Sequence, residues 1–211
     1  MTTIIGDVHG KFEAYKQITN DCKYSVQIGD MGLDYSYLFY NLDDKKHKFL
    51  GGNHDNYDQY PAVKHSLGDY GDREVGGLDF FFIRGAFSVD IGYRLVGTHG
   101  NMSGYDSWWN QEELNYAQMR DCEELYKKSK PRVVLTHTAP HQAITDNFSN
   151  DLLIRLGLGH NFCSKTSGFL QVLFELHQPD IWVFGHFHQD IRDTINGTEF
   201  ICLPELGFID L

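Results

Sequence analysis

At 211 residues, with 41% hydrophobic and 14% aromatic side chains, the chain has material for one substantial core and is expected to form a single domain over residues 1–211. A formal net charge of −11 argues against a general counterion-release grip on nucleic acid, so any phosphate-bearing ligand must meet concentrated local positive charge. Cys22, Cys122, Cys163 and Cys202 lie far apart and form no CxxC pair, which argues against a disulfide framework or a zinc ribbon, and Met1 begins neither a leader nor a membrane-length apolar run, so a soluble, cytoplasmic protein is expected.

Short apolar runs recur along the chain: TTII at 2–5, SVQI at 25–28, KFL at 48–50, FFFI at 80–83, RVVLT at 132–136 and IWVF at 181–184. Continuous rather than alternating hydrophobicity predicts strands covered on both faces, and so a layered α/β fold. Between the first two runs, KFEAYKQITN places Phe12, Tyr15 and Ile18 on one side of a helix that Asn20 and Asp21 break. A longer helix is expected from Gln111 to Lys128, with Asn110 and Glu113 in N-cap and N3 relation and Lys127 and Lys128 near its C-terminus. Trp108 and Trp109, just before it, read better as a packing anchor than as a base-stacking pair. Another helix fits Gly168 to His177, stopped by Pro179, and Asn196-Gly197 supplies a hairpin turn in INGTEFICLPE.

The chemistry lies in the residues just after each run. TTII leads into GDVHG, SVQI into GDMG, KFL into GGNHD, RVVLT into His137, and IWVF into GHFH. The carboxyl ends of strands in open α/β sheets form the crevice where ligands bind, so groups distant in sequence can converge there. The inventory is Asp7, His9, Asp30, Asn53, His137, His186 and His188, all nitrogen and oxygen donors with no thiolate. That mixture suits Mn²⁺, Fe²⁺, Zn²⁺ or Ni²⁺. Seven ligands exceed the needs of one ordinary catalytic ion. With Asp30 bridging, two ions can each take four protein ligands at the roughly 3.5–4 Å separation of two-metal phosphoryl chemistry. Any one of these tetrapeptides alone would read as a capped turn or a solvated loop; their combination makes the metal site.

The ordered set GDVHG, GD, GNHD, a histidine before Thr-Ala-Pro, and GHFH resembles the calcineurin-like metallophosphoesterase family from Asp7 to His188. The resemblance implies an α/β fold, a β-sandwich of two mixed sheets packed face to face and flanked by α-helices. It implies one metal held by Asp7, His9, Asp30 and His188, a second held by Asp30, Asn53, His137 and His186, and a bridging water or hydroxide as nucleophile. The cofactors would be two divalent ions, Mn²⁺ first, with Fe, Zn, Ni or Co as alternatives. His54 is the non-ligand histidine that the pattern places near the leaving group, as general acid or charge stabiliser, with Asp55 or Asp34 to orient it. The implied activity is hydrolysis of a phosphomonoester or phosphodiester. The expected partner is a small phosphorylated metabolite or nucleotide, with no membrane and no strong general nucleic-acid binding.

Departures from the family refine this reading. GDMGLDYS lacks the arginine of the GDxxDRG motif in protein Ser/Thr phosphatases, and the asparagine motif ends in Asp55 rather than glutamate, which weakens a protein phosphatase assignment. Arg84 and Arg94, in RGAFSVDIGYR, are the nearest sources of a cationic substrate clamp. The succession GAFSVD, Arg94, WWNQEEL resembles a pattern of small bacterial and phage members, with LVGTHGNMSGYD as an apparent insertion. His99, inside that insertion, rivals His137 as a ligand and otherwise stands as a substrate-side group; His137 is preferred because it comes after a cleaner buried run. A nuclease or protein phosphatase using the same centre, and a non-catalytic scaffold of the same fold, are the alternatives. The filled ligand set and His54 favour catalysis.

Overall fold

Phe80, Phe81, Phe82 and Ile83 show how the layers arise. A strand sends successive side chains to opposite faces. Phe80 and Phe82 enter one apolar cluster with Ile4, Val26, Leu50, Leu135 and Val183, while Phe81 and Ile83 enter another with Tyr126, Leu170 and Trp182. A chain buried on both faces needs no polar alternation, and here it has none.

The structure is a computed structural model and describes residues 1–91, 94, 108–149, 151, 154 and 162–211. The strands are β1 (Thr3–Ile5), β2 (Ser25–Ile28), β3 (His47–Leu50), β4 (Tyr70–Val75), β5 (Leu78–Ile83), β6 (Val133–Thr136), β7 (Ile181–Phe184), β8 (Ile191–Ile195), β9 (Thr198–Cys202) and β10 (Phe208–Asp210). The helices are α1 (Phe12–Asp21), α2 (Ser36–Asn41), α3 (Tyr116–Ser129), α4 (His141–Asn147) and α5 (Lys165–Leu176). One sheet runs β10-β1-β2-β3 and the other β4-β5-β6-β7-β9-β8. Both are mixed: β1, β2 and β3 are mutually parallel with β10 antiparallel, and β5, β6, β7 and β9 are parallel with antiparallel β4 and β8 at the edges.

Side chains from the two sheets fill the space between them, and the outer faces are covered. Tyr15 and Leu38 from α1 and α2 pack with Ile5 and Phe49 on the first sheet; Tyr126, Leu170 and Phe174 from α3 and α5 pack on the second. This is the expected sandwich of two mixed sheets flanked by helices. Among the described residues, no helix is long and apolar enough to cross a membrane.

Each of the six apolar runs forms a strand, and Ile195 pairs with Thr198 across Asn196 (φ 52°) and Gly197 (φ 88°), as a tight hairpin requires. The long helix begins later than expected. Asn110–Glu112 is a separate 3₁₀ turn, and α3 is capped by Asn115, whose side chain accepts from the Ala117 and Gln118 amides at 2.9 and 3.0 Å while the Gln118 side chain accepts from the Asn115 amide. Glu113, expected at N3, instead accepts from the Thr166 amide and hydroxyl at the start of α5. That helix starts at Lys165, capped by Ser164, three residues before the expected Gly168.

Candidate metal centre

The parallel strands β1, β2 and β3 end on one side of the first sheet and β6 and β7 end beside them on the second, so five strand ends meet. Tight turns then aim the side chains. His9 (φ 49°), Asp30 (φ 59°), His186 (φ 68°) and His188 (φ 52°) all adopt left-handed backbone conformations that non-glycine residues rarely take. Backbone bonds enforce this: the Val8 and His9 amides donate to the Asp30 carbonyl at 3.0 and 2.8 Å, locking the β1 and β2 turns together. Gln27, buried within β2, donates to the Gly6 carbonyl at 3.1 Å and ties the same two turns from below. At Gly52 and Gly185 closeness decides the residue type. A Cβ on Gly52 would fall 2.2 Å from Asp30 Oδ1, and one on Gly185 2.2 Å from Asp7 Oδ1.

The result is two adjoining groups of donors. Asp7, His9 and His188 form one and Asp30, His137 and His186 the other, the ligand atoms of each lying within 4.8 Å of one another. In the first, His188 Nε2 is 2.9 Å from Asp7 Oδ2, His9 Nε2 is 3.1 Å from His188 Nε2, and His9 Nε2 is 3.8 and 3.7 Å from the Asp7 and Asp30 carboxylates. In the second, His137 Nε2 is 3.2 Å from Asp30 Oδ1 and 3.1 Å from Asn53 Oδ1. The seven residues singled out as ligands therefore stand together, with Asp30 between the groups. His137 Nδ1 donates to the Ile28 carbonyl at 2.9 Å, which turns Nε2 into the site, the outer-shell arrangement typical of a ligating imidazole.

Donors about 2.1 Å from a common ion lie about 3.0–3.5 Å apart. The shortest separations in both groups match that, and the mixture of imidazole nitrogen with carboxylate and amide oxygen suits a first-row divalent cation. Without an ion the electrostatics are tense. Burial works to raise Asp30, but the His137 charge and hydrogen bond, aided by His54 and His9, hold its carboxyl well below the usual range. Burial works to lower His137, yet Asp30 and Asp7 push it up to about 10. His186, buried beside that cation, is pushed down to about 3.

The residues expected around the metals are placed differently from one another. His54 lines a cleft of about 240 Å³ with His9, Asp30, Asn53, Asp90 and His188. Its amide donates to Asp30 Oδ1 at 2.7 Å, its ring meets that of His9 edge-on, and burial lowers its imidazole while Asp30 opposes the shift. Neither carboxylate expected to orient it forms a hydrogen bond to its ring among the described residues. Asp55 is buried and accepts from the Asp30, Gly32 and Gly52 amides at 2.9, 3.2 and 2.7 Å and from the Tyr35 hydroxyl at 3.1 Å, bracing the β2 and β3 turns. Asp34, just before α2, is exposed and accepts from the Ser36 amide and hydroxyl at 2.8 and 3.0 Å. The carboxylate that sequence reasoning missed is Asp90, which shares the cleft and acts electrostatically on His54; it closes the GAFSVD element.

Both arginines are spoken for. Arg84 is buried, donates to Asp69 at 2.6 Å and to the Gln111 carbonyl, and lies over the Tyr57 ring, so it braces the fold rather than facing the cleft. Arg94 is buried against Glu112 and the Asn53 carbonyl. His99 lies outside the described residues. Trp109 is buried among apolar residues, as a packing anchor.

A family model described as calcineurin-like phosphoesterase matches residues 2–190. The chain belongs to the calcineurin-like phosphoesterase family. Solved structures agree at the level of fold. A dimetal phosphatase from Danio rerio aligns at TM-score 0.54 and 13% identity over 97% of this chain and 87% of its own. Phosphopantetheinyl hydrolase from Mycobacterium tuberculosis aligns at TM-score 0.52 and 13% identity over 97% and 89%. A Staphylococcus aureus protein provisionally assigned as a 5′-nucleotidase aligns at TM-score 0.53 and 14% identity, covering 98% of this chain but 48% of that one, so the chain spans about half its length. No curated protein sequence matches the chain.

Proposed function

We propose that this family member is a dinuclear metal-dependent phosphoesterase acting on a small phosphorylated metabolite or nucleotide, as monoester or diester. The observation that carries this is the pair of donor groups side by side around Asp30, with His54 on the wall of the same cleft. Asp7, His9, Asp30 and His188 would hold one divalent ion, and Asp30, Asn53, His137 and His186 the other, Mn²⁺ being the first choice. Two such ions supply a nucleophilic hydroxide near neutral pH and neutralise phosphate oxygens. The chain's own residues do the rest. Asp30 places one carboxylate oxygen towards each group, and its bond to the His54 amide holds that residue at the cleft wall. There the ring can protonate or stabilise the departing oxygen, work that contributes about 10²–10⁴-fold. A cleft of about 240 Å³ suits a phosphoryl group with a small substituent. The cysteines are free thiols, which supports a cytoplasmic setting.

The test is hydrolysis of p-nitrophenyl phosphate and bis-p-nitrophenyl phosphate by metal-stripped protein refilled with Mn²⁺. Activity should return with metal, vanish in Asp30→Asn, and fall about 10²-fold or more in His54→Ala with metal content unchanged. The diester-to-monoester ratio assigns the substrate class. A protein that takes up no metal, or one that hydrolyses both esters equally well without it, overturns the reading.

A further inference from the structure

Ser88, Arg94 and Glu112 form a polar cluster that the proposed chemistry leaves unused, and each is almost fully buried. They close on Asn53. Its amide Nδ2 donates to Ser88 Oγ at 3.2 Å, and its backbone carbonyl accepts from Arg94 Nη2 at 2.9 Å. Ser88 Oγ donates to Glu112 Oε2 at 2.6 Å and accepts from Arg94 Nη1, which lies 3.1 Å from Glu112 Oε1.

A hydroxyl has one proton and two lone pairs. With the proton given to Glu112, only acceptor capacity faces Arg94 and Asn53. The Asn53 nitrogen is thereby committed to Ser88, and the amide oxygen must point the other way, where it lies 3.1 Å from His137 Nε2. That polarity matters because the two ends of an amide have nearly the same shape, while a hard or borderline cation binds only the oxygen. A buried Arg–Glu pair is weak evidence for stability, but removing one partner leaves an uncompensated buried charge, so the two side chains are held against each other.

We infer that Ser88, Arg94 and Glu112 are positioning residues that hold the Asn53 amide with its oxygen towards Asp30, His137 and His186. GAFSVD, Arg94 and WWNQEEL thus act on the metal ligand from behind rather than gripping phosphate. The inference rests on the two-ion reading of the site.

The test is titration of the metal-stripped full chain with Mn²⁺, followed by calorimetry and electron paramagnetic resonance. The parent protein should bind two equivalents and give an exchange-coupled spectrum. Ser88→Ala and Glu112→Gln should each weaken the second equivalent about 10- to 100-fold, leave the first unchanged, and show uncoupled six-line Mn²⁺ at the same loading. Ser88→Thr, which keeps the hydroxyl, should restore the coupled signal even if Ser88→Ala is poorly folded. The double variant should be no worse than the weaker single one, because both act along one path. Parent-like binding of both equivalents by Ser88→Ala, or no rescue by Ser88→Thr, overturns the inference. Fewer than two equivalents in the parent protein overturns the two-ion reading itself.

Discussion

A non-glycine residue in the left-handed region costs roughly 1–2 kcal/mol, and His9, Asp30, His186 and His188 all occupy it. Strain concentrated on candidate ligands is expected where geometry has been selected over stability, since only the surrounding bonds keep such conformations populated. Charge is strained in the same place. In the metal-free protein His137 carries a proton, because Asp30 and Asp7 overcome burial and push it up to about 10. Metal loading must expel that proton. Mn²⁺ affinity should therefore climb as pH rises, with about one proton released per chain in calorimetry across buffers of differing ionisation enthalpy; loading without proton release would show His137 neutral beforehand. The raised value also stabilises the metal-free fold fully below the ordinary histidine value of 6.5 and is lost as pH rises through about 10, so its melting temperature should fall across that window. The candidate ligands are legible in the sequence because each comes within four residues of the end of an apolar run that forms a strand. The roles of Asp55, Arg84 and Arg94 are not, since they depend on partners as distant as Asp30, Asp69 and Glu112.

At the scale of elements, strands are rigid and the turns after them do the aiming. The turn after β3 runs against that after β2 with no room for a side chain: a Cβ on Gly52 would sit 2.5 Å from the Asp30 amide nitrogen and 2.8 Å from His137 Nε2. Gly52→Ala should cost about 1–3 kcal/mol in the metal-free protein and abolish the rise in melting temperature that Mn²⁺ gives the parent. An undiminished Mn²⁺-induced rise in this variant would mean that the turns can separate without harming the site. Central strands are readable in the sequence because burial on both faces leaves an unbroken apolar run. The edge strands β4 (YGDREV) and β8 (IRDTI) carry charge on their exposed positions and give no such signal. The start of α3 is hidden because Asn110 and Glu113 have the spacing of a capping box; Glu112 and Glu113 serve tertiary contacts instead, and local pattern cannot reveal that.

For the molecule as a whole, layering decides which groups meet solvent. Cys122 and Cys202 are fully buried, and burial pushes the Cys202 thiol up to about 12, whereas Cys163 is exposed and Cys22 half-buried. At pH 8 a thiol reagent should label Cys163 first, Cys22 slowly, and Cys122 and Cys202 only after unfolding, as read by mass spectrometry. Labelling of Cys202 in the native protein would mean that the second sheet's core opens. The same layering gives the donor groups a mechanical meaning. Asp7, His9, Asp30 and Asn53 come after strands of the first sheet, while His137, His186 and His188 come after strands of the second, so each proposed ion has ligands on both. Bound metal would then be a removable cross-link between the two halves of the sandwich, spanning most of the chain as a long-range disulfide would. Metal supply would set how firmly the sheets are held together as well as whether the site can act.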